Sequence, residues 1–485
     1  MNRRILLISC YELGHQPAGI SMPAAFLDRA GYHTESMDVS VQDFDSEKVR
    51  LAGFVGISVP MHTALRLGVR MAFEIRTINP EAHICFYGLY ASLNSDYLLA
   101  AAADSVIGGE FEESLVSLVR AVEQGADLNL PGVSTSSQSS PAVLARLDFA
   151  APLRSAVEPL DRYAKLEYEG EQRLVGYVEA SRGCLHTCTH CPIPPVYGGR
   201  FFAMPKEVVL EDIRGLVASG ARHITFGDPD FLNGPTHSLR LVSSMHEEFP
   251  DITFDFTAKI EHILKRRLLF AELARNGCIF VVSAVESLSD TVLEHLEKGH
   301  TRADVFDAVE VMRASGIALR PTFVPFTPWA TADDYVDLID SVEVLGLIGH
   351  VDTVQYTIRL LVPPGSLLLS RPDTARWIGP LNEQLFTYEW THLDPRMDEL
   401  HRSVSELVEQ AVGIDEDAAL TFYKIRDLAF EARGNADPRP GIPEIQTSRL
   451  RPPRLTEAWF CCAEPTRDQF RPIEKTAVVY KISRG

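Results

Sequence analysis

Short apolar runs alternate with amphipathic stretches along the first 125 positions. RRILLISC, LAGFVGISV, AHICFYG and DSVIGG read as strands. Between them, Pro23 to Gly31, Thr63 to Ile78 and FEESLVSLVRAVEQG carry helical spacing, the first ending at a glycine. Strand–helix alternation of this kind predicts a parallel sheet with helices on both faces. Ligands of such sheets bind at the carboxyl ends of the strands. Residues 126–172 are poorer in periodicity, and PGVSTSSQSSPAV reads as a linker. From Arg173 the alternation resumes. VGYVEAS, RHITFGD, ITFDFTA, CIFVVSAVES, IALRPTFVPF and VDTVQYTIRLLV are predicted strands, with helical stretches between them. Beyond Leu393 the pattern is helical, clearest in MDELHRSVSELVEQAVG, and a Pro- and Arg-rich tail follows.

The pattern defines an α/β protein in four parts. A Rossmann-like, flavodoxin-like parallel-sheet domain spans 1–125 and a linker 126–172. A partial (β/α)6 TIM-like barrel spans 173–392, and a helical and irregular C-terminal region 393–485. In such barrels chemistry lies at the strand carboxyl ends. The chain has 485 residues, 46% hydrophobic and 23% charged, the balance of a soluble globular protein. Net charge is −20 and no basic block stands out, which argues against a non-specific grip on nucleic acid or anionic membrane. No apolar run is long enough for a spanning helix or a signal peptide, so a cytoplasmic location is expected.

Eight cysteines are too few for a disulfide scaffold, and three of them cluster in SRGCLHTCTHC. Cys184, Cys188 and Cys191 follow the first barrel strand with Cys-x-x-x-Cys-x-x-Cys spacing. Three thiolates this close can ligate three irons of a 4Fe–4S cluster, leaving one iron open to chelation by an amine and a carboxylate. The alternatives are a zinc site completed by His186 or His190, and unligated cysteines.

This loop, on this strand, resembles the radical S-adenosylmethionine superfamily over roughly residues 173–370. The resemblance implies a 4Fe–4S cluster that binds and reductively cleaves S-adenosylmethionine, usually giving a 5′-deoxyadenosyl radical. It also implies a small-molecule substrate and an external electron donor such as flavodoxin or ferredoxin. The residue before the last cysteine is usually a larger aromatic in that family. Here it is His190, whose imidazole can stack on adenine. Gly227, Asp228 and Asp230 in FGDPDF occupy the place of the family's Gly-Gly-Glu-like motif, which holds the amino group; the alternative is an Asx turn. Lys259, Ser283, Glu286 and Arg320 follow or end later strands and are candidates for the ribose, amine or carboxylate, with ordinary buried ion pairs as the alternative; Arg359 is placed similarly. LEKGHT, from Lys298, is family-like without an assigned role.

The N-terminal domain resembles the cobalamin-binding domain of many radical S-adenosylmethionine enzymes. His15 lies in ELGHQPAGI, but Leu13 and Ala18 stand where the Asp-x-His-x-x-Gly pattern has Asp and Gly. Ser58, Gly108 and Gly109 fit places where the family approaches the nucleotide tail. Cys461 and Cys462, in WFCCAEP, resemble the CCAEP tail of a radical enzyme group and are candidates for redox or metal chemistry. The leading expectation is a cobalamin-linked methyl transfer. The alternatives are transfer of another S-adenosylmethionine fragment to a thiophilic acceptor such as trivalent arsenic, and a non-catalytic iron–sulfur or zinc redox sensor.

Overall fold

The computed structural model describes residues 4–434, 437, 439, 441 and 451–457. The N-terminal sheet contains β1 (Arg4–Ser9), β2 (Thr34–Asp38), β3 (Ala52–Ser58), β4 (His83–Tyr87), β5 (Ser105–Ile107) and β6 (Val133–Ser134). Their order is β2-β1-β3-β4-β5-β6. The first five run parallel, and β6 is antiparallel on β5. Because strands buried on both faces carry apolar residues continuously, β1 has Leu6 and Ile8 in one core layer and Ile5 and Leu7 in the other. Strand order reverses between β1 and β3, the usual ligand position of a doubly wound sheet. TESMD, which carries β2, has no apolar run and is not among the predicted strands.

Residues 126–172 are more ordered than a linker. They hold β6 and β7 (Lys165–Tyr168), each paired to a neighbouring sheet. The second sheet adds β8 (Glu171–Val178), β11 (His223–Phe226), β12 (Thr253–Thr257), β13 (Cys278–Glu286), β14 (Ala318–Phe323) and β17 (Arg454–Leu455), in the order β14-β13-β12-β11-β8-β7-β17. Strands β8 and β11 to β14 are parallel and form a curled half-barrel, while β7 and β17 extend its edge in antiparallel fashion. Barrel helices start at built caps. Thr301 and Thr331 each form a reciprocal capping box, with Asp304 and Asp334.

The sixth predicted strand, VDTVQYTIRLLV, is not one. Residues Thr353–Thr357 form a 3₁₀ turn, and pairing with the barrel is reduced to a bridge between Phe326 and Arg359. The free edge of β14 is instead satisfied by side chains. Gln355 Oε1 accepts from Phe323 N at 3.1 Å, and His350 Nδ1 meets Leu319 O at 2.9 Å. The remaining short strands are β9 (Ser181–Gly183) with β10 (Phe201–Ala203), and the hairpin β15 (Ile378–Asn382) with β16 (Thr387–Trp390). Helices Pro395–Gly413 and Ala418–Arg433 pack together beside the barrel. Among the described residues, no helix is long and apolar enough to cross a membrane.

Candidate active site

A cavity of about 330 Å3 lies where the carboxyl ends of the two sheets face each other. Cys184, Cys188 and Cys191 line one part of it, and Ser58, Gly88 and Gly109, from the N-terminal sheet, line another. The cysteine loop runs from β9 to the short helix Ile193–Tyr197. It is pinned to the barrel by Thr189, whose N–H donates to Leu296 O at 3.1 Å and whose hydroxyl donates to His295 O at 2.9 Å. Cys184 and Cys188 are buried and Cys191 is half-buried. Burial pushes the Cys184 thiol up to about 11, so it becomes a thiolate ligand only as metal displaces its proton. Three thiols converging on one cavity fit a three-cysteine cluster.

Beside them stands a charged trio. Glu286 ends β13 after a bulge that shifts its register against β14, and its φ is +67°, which turns its carboxylate into the cavity. It accepts from Lys298 Nζ at 3.1 Å and lies 3.2 Å from His190 Nε2. Burial opposes its charge, but Lys298 and His190 outweigh burial and hold the carboxyl at about 2. Glu286 is therefore an anion and Lys298 a cation, both inside the protein. His190 lines the cavity with its ring fixed by this bond. Lys259 also lines the cavity, 3.7 Å from the Glu261 carboxylate.

The acidic loop after β11 divides. Gly227 faces the cavity beneath Tyr177; a Cβ there would sit 2.0 Å from the phenol oxygen, so only glycine fits. Asp228 and Asp230 do not line the cavity. Asp228 accepts from Ala180 N at 2.9 Å and from the Ser181 hydroxyl, which fixes the corner that leads into the cysteine loop. Asp230 accepts from Leu232 N at 2.9 Å and Lys259 N at 3.2 Å, an N-cap of the turn Phe231–Asn233. The Asx-turn alternative thus describes Asp230.

Two other candidates also fall outside the cavity. The Ser283 hydroxyl donates to Ala258 O at 2.7 Å across the sheet. Arg320 pairs with Asp352 at 2.7 Å, covering the edge of β14. Arg359 pairs with Asp398 at 2.8 Å and stacks on Trp390. Arg320 and Arg359 are thus engaged in ion pairs and Ser283 in a hydrogen bond within the fold.

On the N-terminal side, Ser58 and Gly109 line the cavity and Gly108 does not. Gly109 has φ +69°, and a Cβ there would meet Val143 O at 2.3 Å. Glu12 and Ser58 sit at the strand-order reversal, their side chains 3.4 Å apart, and Gly19 N donates to Glu12 at 3.2 Å. His15 lines the cavity and stacks on Tyr177 at 4.6 Å. Burial and repulsion from His223 lower its pKa to about 4, so the ring is neutral. Burial pushes the Glu12 carboxyl up to about 8, so these strand ends are small and largely uncharged, which fits a large neutral ligand such as a corrinoid.

A hub that no local pattern pointed to joins the two halves. Arg182, in β9, pairs with Glu112 at 2.6 Å, Glu179 at 2.9 Å and Glu110 at 3.5 Å. Tyr197 donates to Glu110 at 2.9 Å. Burial pushes the Glu110 carboxyl up to about 7, against the pull of Arg182. EFEE was legible as the start of a helix, but not as the partner of an arginine 70 residues away. Cys461 and Cys462 lie outside the described residues.

Comparison with known proteins agrees with this geometry. Residues 178–341 match the family model of the radical SAM superfamily. The half-barrel carrying the cysteine loop is therefore a radical SAM domain, an enzyme scaffold. The chain is 23% identical over 387 residues to an uncharacterized methyltransferase of Pyrococcus horikoshii, covering 76% of this chain and 79% of that protein. Two further curated relatives are matched over 47% and 40% of their own length. Two solved structures share the fold. The radical S-adenosylmethionine methyltransferase TsrM of Kitasatospora setae, with cobalamin and a [4Fe-4S] cluster bound, superposes with a TM-score of 0.57 at 19% identity, covering 71% of each chain. The cobalamin-dependent S-adenosylmethionine radical enzyme OxsB, with aqua-cobalamin and S-adenosylmethionine bound, gives 0.67 at 15% identity, covering 85% of this chain and 67% of that one.

Proposed function

We propose that this protein is a cobalamin-linked radical S-adenosylmethionine enzyme that transfers a methyl group to a small molecule. The observation that carries this reading is the single cavity shared by the cysteine loop and the strand ends of the N-terminal sheet. Likeness in fold to two cobalamin-bound S-adenosylmethionine radical enzymes supports it. When bound, a 4Fe–4S cluster on Cys184, Cys188 and Cys191 supplies the electron that breaks a carbon–sulfur bond of S-adenosylmethionine, and a corrinoid supplies a methyl carrier. The chain's own residues have defined tasks. Glu286 accepts from the amino group of S-adenosylmethionine or from its ribose, and Lys298 keeps that carboxylate ionised. His190 and Lys259 orient the remainder, and Gly227 leaves room beneath Tyr177. Ser58 and Gly109 receive the nucleotide tail of the corrinoid. Asp228, Asp230, Ser283 and Arg320 position the loops without touching the ligands.

The test is anaerobic turnover of reconstituted protein with S-adenosylmethionine, dithionite and hydroxocobalamin. The expected products are S-adenosylhomocysteine and 5′-deoxyadenosine, with a corrinoid retained through gel filtration. Retention of no corrinoid would remove the methyl-transfer reading.

A further inference from the structure

Beside the cysteine loop, but outside the cluster's own ligand set, three side chains converge. His186 lies between Cys184 and Cys188. Asp230 follows β11, and His262 is in the helix Ile260–Lys265 that follows β12. One ligand atom from each lies within 4.8 Å of the other two. Asp230 Oδ2 is 2.9 Å from His262 Nδ1 and 3.6 Å from His186 Nε2. We infer that His186, Asp230 and His262 form a binding site for one divalent first-row transition ion.

Four features carry this. The first is spacing. Metal–nitrogen and metal–oxygen bonds of roughly 2.0–2.2 Å put donors on a tetrahedral ion about 3.3 Å apart, and the distances here bracket that value. The second is the orientation of the rings. His186 Nε2 and His262 Nδ1 are both buried and face the same carboxylate oxygen, Asp230 Oδ2, so one ion between them could take a nitrogen from each ring and that oxygen. The third is burial. Asp230 is fully buried, with two histidine rings facing one of its oxygens. Its oxygens are otherwise met by the N–H groups of Leu232 and Lys259, so the ligand is fixed in place before any ion arrives. The fourth is the outer partner. Glu261 Oε2 lies 3.7 Å from His186 Nδ1. At 3.7 Å this is not a hydrogen bond, but it places a carboxylate to close on the outer nitrogen once an ion draws in the inner one. Lys259 and Lys265 pair with Glu261, so both nearby cations are engaged away from Asp230.

Two histidines and one carboxylate with open positions suit Fe2+, Co2+ or Zn2+ rather than Mg2+ or Ca2+. Of the three residues, His186 alone lines the cavity. The ion would sit behind the cavity wall and tie the cysteine loop to the loops after β11 and β12. The site does not depend on the corrinoid reading.

The test uses Co2+ alone as the probe. Anaerobically reconstituted full-length protein is desalted and titrated with CoCl2. The expected result is one bound equivalent with visible ligand-field bands and no thiolate charge-transfer band. Affinity should fall at least tenfold in His262→Gln with cluster iron unchanged, and ten- to a hundredfold in Glu261→Gln. A Cys184→Ser/Cys188→Ser/Cys191→Ser variant should keep the site, which separates its fate from that of the cluster. Equal uptake in wild type and His262→Gln, a charge-transfer band from thiolate, or no bound equivalent would each overturn the assignment.

Discussion

The two parallel sheets present their carboxyl ends to the same cavity, yet they furnish it differently. The barrel end is charged and internally paired: Glu286 is held by Lys298 and His190, and Lys259 stands 3.7 Å from Glu261, while Asp228 and Asp230 lie behind the wall, held by backbone N–H groups. The N-terminal end offers Ser58, Gly88 and Gly109, and a neutral His15. The first is preorganised to hold ionic groups in fixed positions, which reacting centres require. The second removes side chains so that a broad ligand can approach the backbone. Where the halves meet, one arginine serves three carboxylates, Glu110, Glu112 and Glu179.

The sharpest way to break the contrast is to remove a thiol. Cys188→Ala should abolish cluster absorbance and lower S-adenosylmethionine cleavage to the level of an enzyme-free control, while corrinoid retention persists. Loss of both would show that the two ends are not separable.

Next is the buried pair. Lys298→Met leaves Glu286 ionised without its cation, and should cost about 3–5 kcal/mol in urea unfolding. Adding Glu286→Gln should restore more than half of that. A single variant as stable as wild type would mean that the pair is not desolvated.

On the uncharged side, Gly109→Ala forces a Cβ against Val143 O at a positive φ. It should lower stability by roughly 2 kcal/mol and corrinoid affinity at least tenfold, with the cluster content intact. Unaltered corrinoid binding would place that ligand elsewhere.

The smallest effect concerns the junction. Glu110 ionises in the unfolded chain at the ordinary carboxylate pH, but in the folded chain only near pH 7. The unfolded state therefore loses this proton first. Stability falls as pH rises from the ordinary carboxylate range to about 7, and this contribution is level above that. Glu110→Gln should remove the decline. It should be measured by urea unfolding at about pH 5 and about pH 7.5. An identical pH slope in both proteins would refute the assignment.

Much of the fold was legible because it is written in periodicity. Continuous apolar runs gave β1, β3, β4 and the barrel strands, and Cys184, Cys188 and Cys191 declared themselves by spacing. Local pattern misled where a partner's identity mattered. TIRLLV has strand character, yet β14 is closed by Gln355 and His350. Asp228, Asp230, Ser283 and Arg320 are residue types that bind ligands, and each is engaged by the fold instead. Spacing also could not reveal that Arg182 meets Glu110, or that His186 meets Asp230 and His262, because those meetings join separate loops.

The sequence by itself determined the alternation of elements, the parallel character of the first sheet and the cluster loop, since each rests on interactions among near neighbours along the chain. Tertiary structure decided which polar residues remain available to a ligand. That choice depends on burial and on partners contributed by distant segments. A bulge and a positive φ turn Glu286 into the cavity, whereas Ser283, three residues earlier on the same strand, donates its hydroxyl to Ala258 O.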